Sequence, residues 1–225
     1  MKAAMICFMG LDGSGKSSCA EYVCAQLRRQ GCRVELVRAA YVIKYLRGVI
    51  RLGKRLLMRG RSDPHGGDYS AYLEAMRAQA RRGGVYRLFS LCTMLEFRLQ
   101  IFFNIRVKRM LGRTLLVDRY IYDNIVTHAA NLGADAGFMR AALDGRWKHA
   151  PRPDGIIYVR TPVEVCLGRK DDIPDPLYLQ IREPLYEEMA RMAGAVTISG
   201  ARDRQGMLDA ALAAVLEVME AKRDG

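Results

Sequence analysis

Residues 8–22 read Phe-Met-Gly-Leu-Asp-Gly-Ser-Gly-Lys-Ser-Ser-Cys-Ala-Glu-Tyr, and the eight from Gly10 to Ser17 decide the fold. An unbroken apolar run, Ala3 to Met9, leads into them, and an amphipathic pattern carrying Tyr22, Val23 and Leu27 follows from Ser17 to Arg29. Such an order reads as strand, loop, helix. Glycines at these intervals let successive backbone N–H groups curl around an anion at a helix N-terminus, where the dipole already favours negative charge. The pattern G-x-x-x-x-G-K-S therefore assigns Gly10, Asp12, Gly13, Ser14, Gly15, Lys16, Ser17 and Ser18 to a bound phosphate chain. Lys16, with its side chain facing solvent, is expected to reach the β and γ phosphates, and Ser17 to hold Mg²⁺. A bland strand-to-helix turn that happens to match is the competing reading, and the strand and helix on either side count against it.

What the phosphates are for depends on residues far from the loop. The guanine-reading Asn-Lys-x-Asp of a switch GTPase and the Asp-x-x-Gly that would follow its acidic strand are both missing. Instead, Thr114-Leu115-Leu116-Val117-Asp118 reads as a buried strand ending in an acid, followed at once by Arg119-Tyr120. An acid at a strand's carboxyl end can order Mg²⁺, and a guanidinium beside it can clamp a second phosphate with two parallel hydrogen bonds. A plain surface ion pair is the alternative for any Asp-Arg dipeptide.

Taken together, GLDGSGKSS at 10–18, LVDRY at 116–120 and RPDGIIYVRTPVEVCLGRK at 152–170 resemble the thymidylate kinase family of nucleoside monophosphate kinases. The resemblance implies an α/β fold, a three-layer P-loop kinase with a five-stranded parallel sheet flanked by helices, and residues 1–225 as one domain. It further implies ATP and Mg²⁺ as donor, a small phosphorylated acceptor and a homodimer. By position, Asp12 falls where the family's loop acid faces the acceptor sugar, Arg119 where an arginine holds the acceptor phosphate, and Asp118 beside the metal. Ser17 and Asp118 are thus the metal candidates. Arg169 stands where the family's lid helix begins, so Arg169, Lys170 or Arg182 is expected to neutralise charge on the moving phosphoryl; Ser14 leaves the loop without an arginine of its own. Arg38, Phe89, Thr93 and Tyr120 complete the acceptor set. Phe89 can stack on any base, but Thr93 occupies the place of the family's base-reading arginine, and Val37-Arg38-Ala39-Ala40-Tyr41 replaces its Pro-Gly-Gly stretch. Reading of the thymine edge then falls to water or to a neighbour such as Arg98.

Elsewhere the chain is less specific. A basic helical insert spans about 42–67, its acid-free stretch 43–61 carrying seven Lys and Arg on an amphipathic pattern interrupted by Gly48 and Gly53. It reads as a peripheral contact with anionic lipid, or equally as a solvated lid edge or acceptor-site wall. His65, in a turn-rich stretch after it, reads as a loop residue. Asp68 to Arg82 and Val85 to Leu111 are helical, and the apolar side chains of the second, among them Leu91, Leu95, Phe102 and Phe103, exceed one core contact. They fit a dimer surface or a core helix. Tyr122 to Leu132 and Ala136 to Lys148 are shorter helices, with Trp147 in the packing. Thr161-Pro162-Val163-Glu164 reads as a helix cap with a reciprocal Glu, Asp175-Pro176 as a second cap, and Pro184 as a kink. A short lid occupies about 168–178. Strands are expected at Val34 to Val37, Gly155 to Val159 and Val196 to Ser199, with Ser199 to Arg202 bordering the adenine.

The totals agree with this reading. A net charge of +12 suits an anionic partner, which the loop makes a nucleotide; no nucleic-acid polymer is expected. The six cysteines form no C-x-x-C pair, and with three histidines in the chain neither a zinc site nor a disulfide framework is expected. No run reaches the roughly 20 uncharged apolar residues of a membrane span, and the first residues read as a strand, which suggests the cytoplasm. The sequence thus points to transfer of the ATP γ-phosphoryl to a nucleoside monophosphate. Its rivals are a same-fold kinase with a sugar or lipid-linked acceptor, and a nucleotide-gated binding protein without turnover.

Overall fold

Strands covered on both faces must be apolar at nearly every position, and Met5–Met9 (β1) and Thr114–Asp118 meet that demand with no exposed residue between them. The computed structural model describes residues 3–38, 48, 69–81, 84–170, 173 and 175–224. In chain order after β1 come α1 (Lys16–Arg29), β2 (Val34–Arg38), α2 (Tyr69–Arg81), α3 (Gly84–Ile101), α4 (Val107–Met110), β3 (Thr114–Asp118) and α5 (Ile121–Leu132). They are followed by α6 (Ala136–Ala141), β4 (Gly155–Arg160), α7 (Val163–Arg169), α8 (Pro176–Ala193), β5 (Val196–Ser199) and α9 (Arg204–Asp224). The five strands form one all-parallel sheet in the order β2-β3-β1-β4-β5.

The two-residue period of β1 divides the core. Met5, Cys7 and Met9 join Leu115, Val117, Ile156 and Tyr158 beneath α5 and α8, while Ala4, Ile6 and Phe8 join Leu116, Ile157 and Val159 beneath α1 and α9. This is the three-layer α/β architecture expected. Open sheets of this kind bind ligands past the carboxyl ends of their strands, where neighbouring connections diverge. Here β1 ends in the glycine loop and β3 beside it ends in Asp118.

Several local expectations are refined. The helix expected from Val85 to Leu111 changes hydrogen-bond pattern midway, α3 passing through a π-helical turn at Phe102–Arg106 before α4. A second such turn, Ala142–Arg146, closes α6. Pro184 lies inside an unbroken α8, which Asp175 caps by accepting from Leu177 N at 2.7 Å. Trp147 packs edge-on against Phe97, ring centroids 5.2 Å apart. All six cysteines are free thiols. Among the described residues no His, Cys, Asp and Glu cluster could hold a metal, and no helix is long and apolar enough to cross a membrane. The basic insert at 42–67 lies outside the described residues apart from Gly48, as do Asp171, Asp172 and Pro174 of the lid.

Candidate active site

The loop after β1 is fitted so closely that side chains are excluded. A Cβ on Gly13, at φ 84°, would stand 2.5 Å from the Cys166 carbonyl oxygen, and one on Gly15, at φ 95°, would stand 2.9 Å from Met207. The buried Ser14 is held from outside the loop: Thr161 Oγ1 donates to its carbonyl at 3.0 Å. This corrects the expected role of Thr161 and Glu164. Pro162 is the N-cap of α7 and no side chain caps that helix, because the Thr161 hydroxyl is spent clasping the loop. Thr161→Val keeps the shape and removes the donor from a buried carbonyl, at a cost of about 1–3 kcal/mol. Thermal unfolding should fall by roughly 2–10 °C, with weaker nucleotide binding by calorimetry; an unchanged melting temperature would remove the clasp from the loop's support.

Lys16 and Ser17 open α1, and Ser18 follows half-buried in its first turn. Lys16 is not the solvent-facing side chain expected. It is 3% exposed, its Nζ donating to the Leu11 carbonyl at 2.8 Å and lying 3.5 Å from Asp12 Oδ1. Burial lowers its pKa, the positive Arg119 adds to that, and Asp12 opposes both. The ammonium is thus folded back onto its own loop, held by the Leu11 carbonyl and Asp12.

Two carboxylates organise the rest. Ser17 Oγ donates to Asp118 Oδ2 at 2.7 Å, while Asp118 Oδ1 is buried with no hydrogen-bond partner. A hydroxyl beside an unsatisfied buried carboxylate oxygen is a donor set suited to a hard cation, and so fits Mg²⁺. Arg38, paired across the strands with Asp118, places its Nε 3.8 Å from Oδ2 and also pairs with Glu21. Asp12, the second carboxylate, pairs with Arg119 and accepts from Tyr178 Oη at 2.9 Å. Burial pushes the Asp12 carboxyl up, but Lys16 and Arg119 outweigh it and hold the pKa far below the usual carboxylate range. For Arg119, burial works against the charge, and Asp12, Tyr186 and Asp123 together more than reverse it.

Lys16, Ser17, Asp12, Asp118, Arg119 and Arg38 thus meet at one end of the sheet. Arg169, exposed at the end of α7, joins them from the side, its Nη1 about 4.0 Å from where a Cβ on Gly15 would stand. Tyr120 does not join. Its ring is buried and its hydroxyl donates to the Pro151 carbonyl at 2.9 Å, as a phenol leaving water must find a partner. Arg98 turns away as well, donating to the Arg146 carbonyl at 3.3 Å. Thr93 is half-buried on α3; Phe89 belongs to the same helix, and its side chain lies outside the described residues.

Residues that motif reading overlooked brace the site. Tyr178 links Asp12 to Arg182, whose guanidinium lies 3.7 Å from the Tyr178 ring centroid and donates to Tyr69 Oη at 2.7 Å and Asn131 Oδ1 at 3.2 Å. Arg182 is therefore a buried strut behind the wall. Asp123 is buried beneath Arg119, accepting from Tyr120 N at 3.1 Å and Tyr186 Oη at 2.9 Å. Burial raises its pKa, against the pull of Arg119 and Lys16. Tyr178 lies 166 residues from Asp12, so no local pattern announces that pair. Asp123 does stand three residues past Tyr120, the spacing of a capping acid, but the tyrosine in place of Ser or Thr hides it.

No protein-family model matches the chain. Over 208 residues it is 24% identical to a protein of Methanothermobacter thermautotrophicus named "Probable thymidylate kinase", the alignment covering 88% of this chain and 86% of that protein. The three-layer fold, the glycine loop and this distant similarity are consistent with a nucleotide-binding kinase.

Proposed function

We propose that the whole chain, 1–225, is one P-loop kinase domain of the thymidylate kinase-like type, moving the γ-phosphoryl of ATP to a nucleoside monophosphate. One observation carries the reading. Arg119 and the loop lysine share one carboxylate oxygen, Asp12 Oδ1, so the site holds one cation for the donor chain and a second, forked one for another phosphate. The similarity to the Methanothermobacter thermautotrophicus protein supports the acceptor class.

Phosphoryl transfer needs positioning and charge balance more than covalent help, and the residues divide accordingly. The loop amides of Gly10 to Ser18 hold the donor phosphates. Lys16 exchanges the Leu11 carbonyl for the phosphoryl oxygens. Ser17 and Asp118 hold Mg²⁺, which when bound draws charge from those oxygens. Arg119 leaves Asp12 for the acceptor phosphate, freeing Asp12 toward the acceptor, with Arg38 and the ring of Phe89 at the acceptor's edge. Arg169 supplies the lid cation. A homodimer completes the reading, and segment 43–61 serves it as a peripheral membrane contact, a solvated lid edge or an acceptor-site wall.

Base selection is expected to be loose. Thr93 offers a short hydroxyl where the family places a fork, and Arg98 is engaged with the Arg146 carbonyl, so a wrong base leaves few buried donors unpaired. The same observation favours a second reading, a same-fold kinase whose acceptor is a sugar or a lipid-linked group. Both are tested by one panel of nucleoside monophosphates, nucleosides and sugars with ATP and Mg²⁺, read as ADP formed. Monophosphates should turn over, and kcat/KM for thymidylate should exceed those for uridylate, cytidylate and deoxycytidylate by less than about a thousandfold, or about 4 kcal/mol. A larger preference would show that another residue reads the thymine edge. ADP formed only with sugars would install the second reading, and tight ATP binding with no ADP would make the chain a binding protein.

A further inference from the structure

The long hairpin helix leading into β3 carries a stripe that the site does not use. Leu91, Leu95, Arg98, Phe102, Arg106 and Met110 recur every three or four residues through α3, the π-helical turn and α4, and every one of them is exposed. At about 1.5 Å per residue the stripe is roughly 28 Å long. Its tip is its most apolar part, with Met110 85% and Leu111 63% exposed.

The charged residues of the stripe itself, Arg98 and Arg106, are both cations. A cleft of about 240 Å³ opens along it, lined by Arg98, Phe102, Arg106, Arg146, Trp147 and His149 among others, with no acid in its wall among the described residues. The guanidinium groups there are held by main-chain oxygens, Arg98 on Arg146 O at 3.3 Å and Arg106 on His149 O at 2.6 Å, and Arg109 next to them on Arg152 O at 3.3 Å. A carbonyl fixes a guanidinium without neutralising it. The acid at the near end of the sheet, Glu35, is already taken by Lys108 and Arg113.

We infer that this face docks on an anionic lipid bilayer, a headgroup phosphate entering the arginine-lined cleft while Phe102, Met110 and Leu111 enter the acyl boundary. The inference stands apart from the proposed reaction and from segment 43–61. Guanidinium forks match phosphate, and exposed aliphatic side chains gain free energy by leaving water for hydrocarbon. A second copy of the chain is the poorer occupant, because pairing two such faces would bring arginines held only by main-chain oxygens against one another in a dry interface. Single-stranded nucleic acid suits the cations, and Phe102 offers one ring to a base, but Leu91, Leu95, Met110 and Leu111, the greater part of the stripe, offer none.

The test is co-sedimentation of the full chain with phosphatidylcholine vesicles, with and without roughly one-third phosphatidylglycerol. Binding is expected only to the anionic vesicles. At about 1 kcal/mol per cation near such a surface, Arg106→Ala with Arg109→Ala should weaken partitioning about thirtyfold. Phe102→Ser with Met110→Ser should abolish the part of the binding that survives about 0.5 M salt. All four side chains are exposed or half-buried, and unchanged melting of each variant confirms its fold. Equal binding to neutral vesicles, or variants that sediment like the parent, would overturn the assignment. So would variants whose effect is to split a dimer, or to lose a single-stranded RNA that the parent binds better than vesicles at the same salt.

Discussion

A Lys16→Ala chain should lose phosphoryl transfer by at least about a thousandfold while keeping its fold. The charge that develops on a transferring phosphoryl is balanced in such sites by cations fixed before the reaction, and losing one donor of this kind costs about 10²–10³ or more in rate. Lys16 is so fixed, buried against the Leu11 carbonyl at 2.8 Å and 3.5 Å from Asp12. The fold should survive because Asp12 keeps Arg119 and the Tyr178 hydroxyl as partners, and the loop keeps its clasp from Thr161. Lys16→Met, which preserves the bulk of the stem, separates lost charge from lost packing and should be equally inactive. The readout is single-turnover ADP formation on an acceptor the parent chain uses, alongside thermal melting. Near-normal turnover by either folded variant would end the P-loop reading.

The strands were legible because strands buried on both faces demand apolar runs: Met5–Met9 is nothing else, and Thr114–Asp118 is polar only at its two ends. The glycine loop and the Ser17–Asp118 pair were legible for a related reason: a phosphate cradle and a cation donor set need particular residue types at particular strand ends. Orientation was not. Whether Lys16 faces water or folds onto Leu11, and whether the Tyr120 hydroxyl faces the site or Pro151, is decided by which polar groups of distant segments need partners. Thr161 shows the difficulty plainly. Its sequence context, Thr-Pro-Val-Glu, is a sound helix start, yet a buried carbonyl on Ser14, 147 residues away, claims the hydroxyl. Arg182 has the same lesson in reverse. A cation near a lid reads as a phosphate ligand, and only the packed Tyr69, Tyr178 and Asn131 reveal a strut.

Arg119→Ala should raise the acceptor KM and lower kcat, with their ratio falling about a thousandfold, while ATP affinity moves less than about twofold. Arg119 is the one non-glycine residue with positive φ among the described residues, at 65°. A left-handed arginine costs about 1–2 kcal/mol and persists only where its neighbours fix it. Here Arg119 N donates to the Phe8 carbonyl at 3.4 Å, and Asp123, itself held by Tyr186 at 2.9 Å, takes the next amide at 3.1 Å. That backbone turn aims the guanidinium at Asp12, while Ser17 pairs with Asp118. Arg119→Lys keeps the charge and loses the fork, so its loss should be intermediate. Arg119→Gly relieves the backbone and should melt above Arg119→Ala by about 1 kcal/mol, yet transfer no better, which separates strain from chemistry. The measurements are steady-state kinetics with the acceptor varied at saturating ATP, ATP binding by calorimetry, and thermal melting of all three variants. An unchanged acceptor KM with ATP affinity lost instead would move Arg119 to the donor phosphates and leave the acceptor phosphate without a ligand.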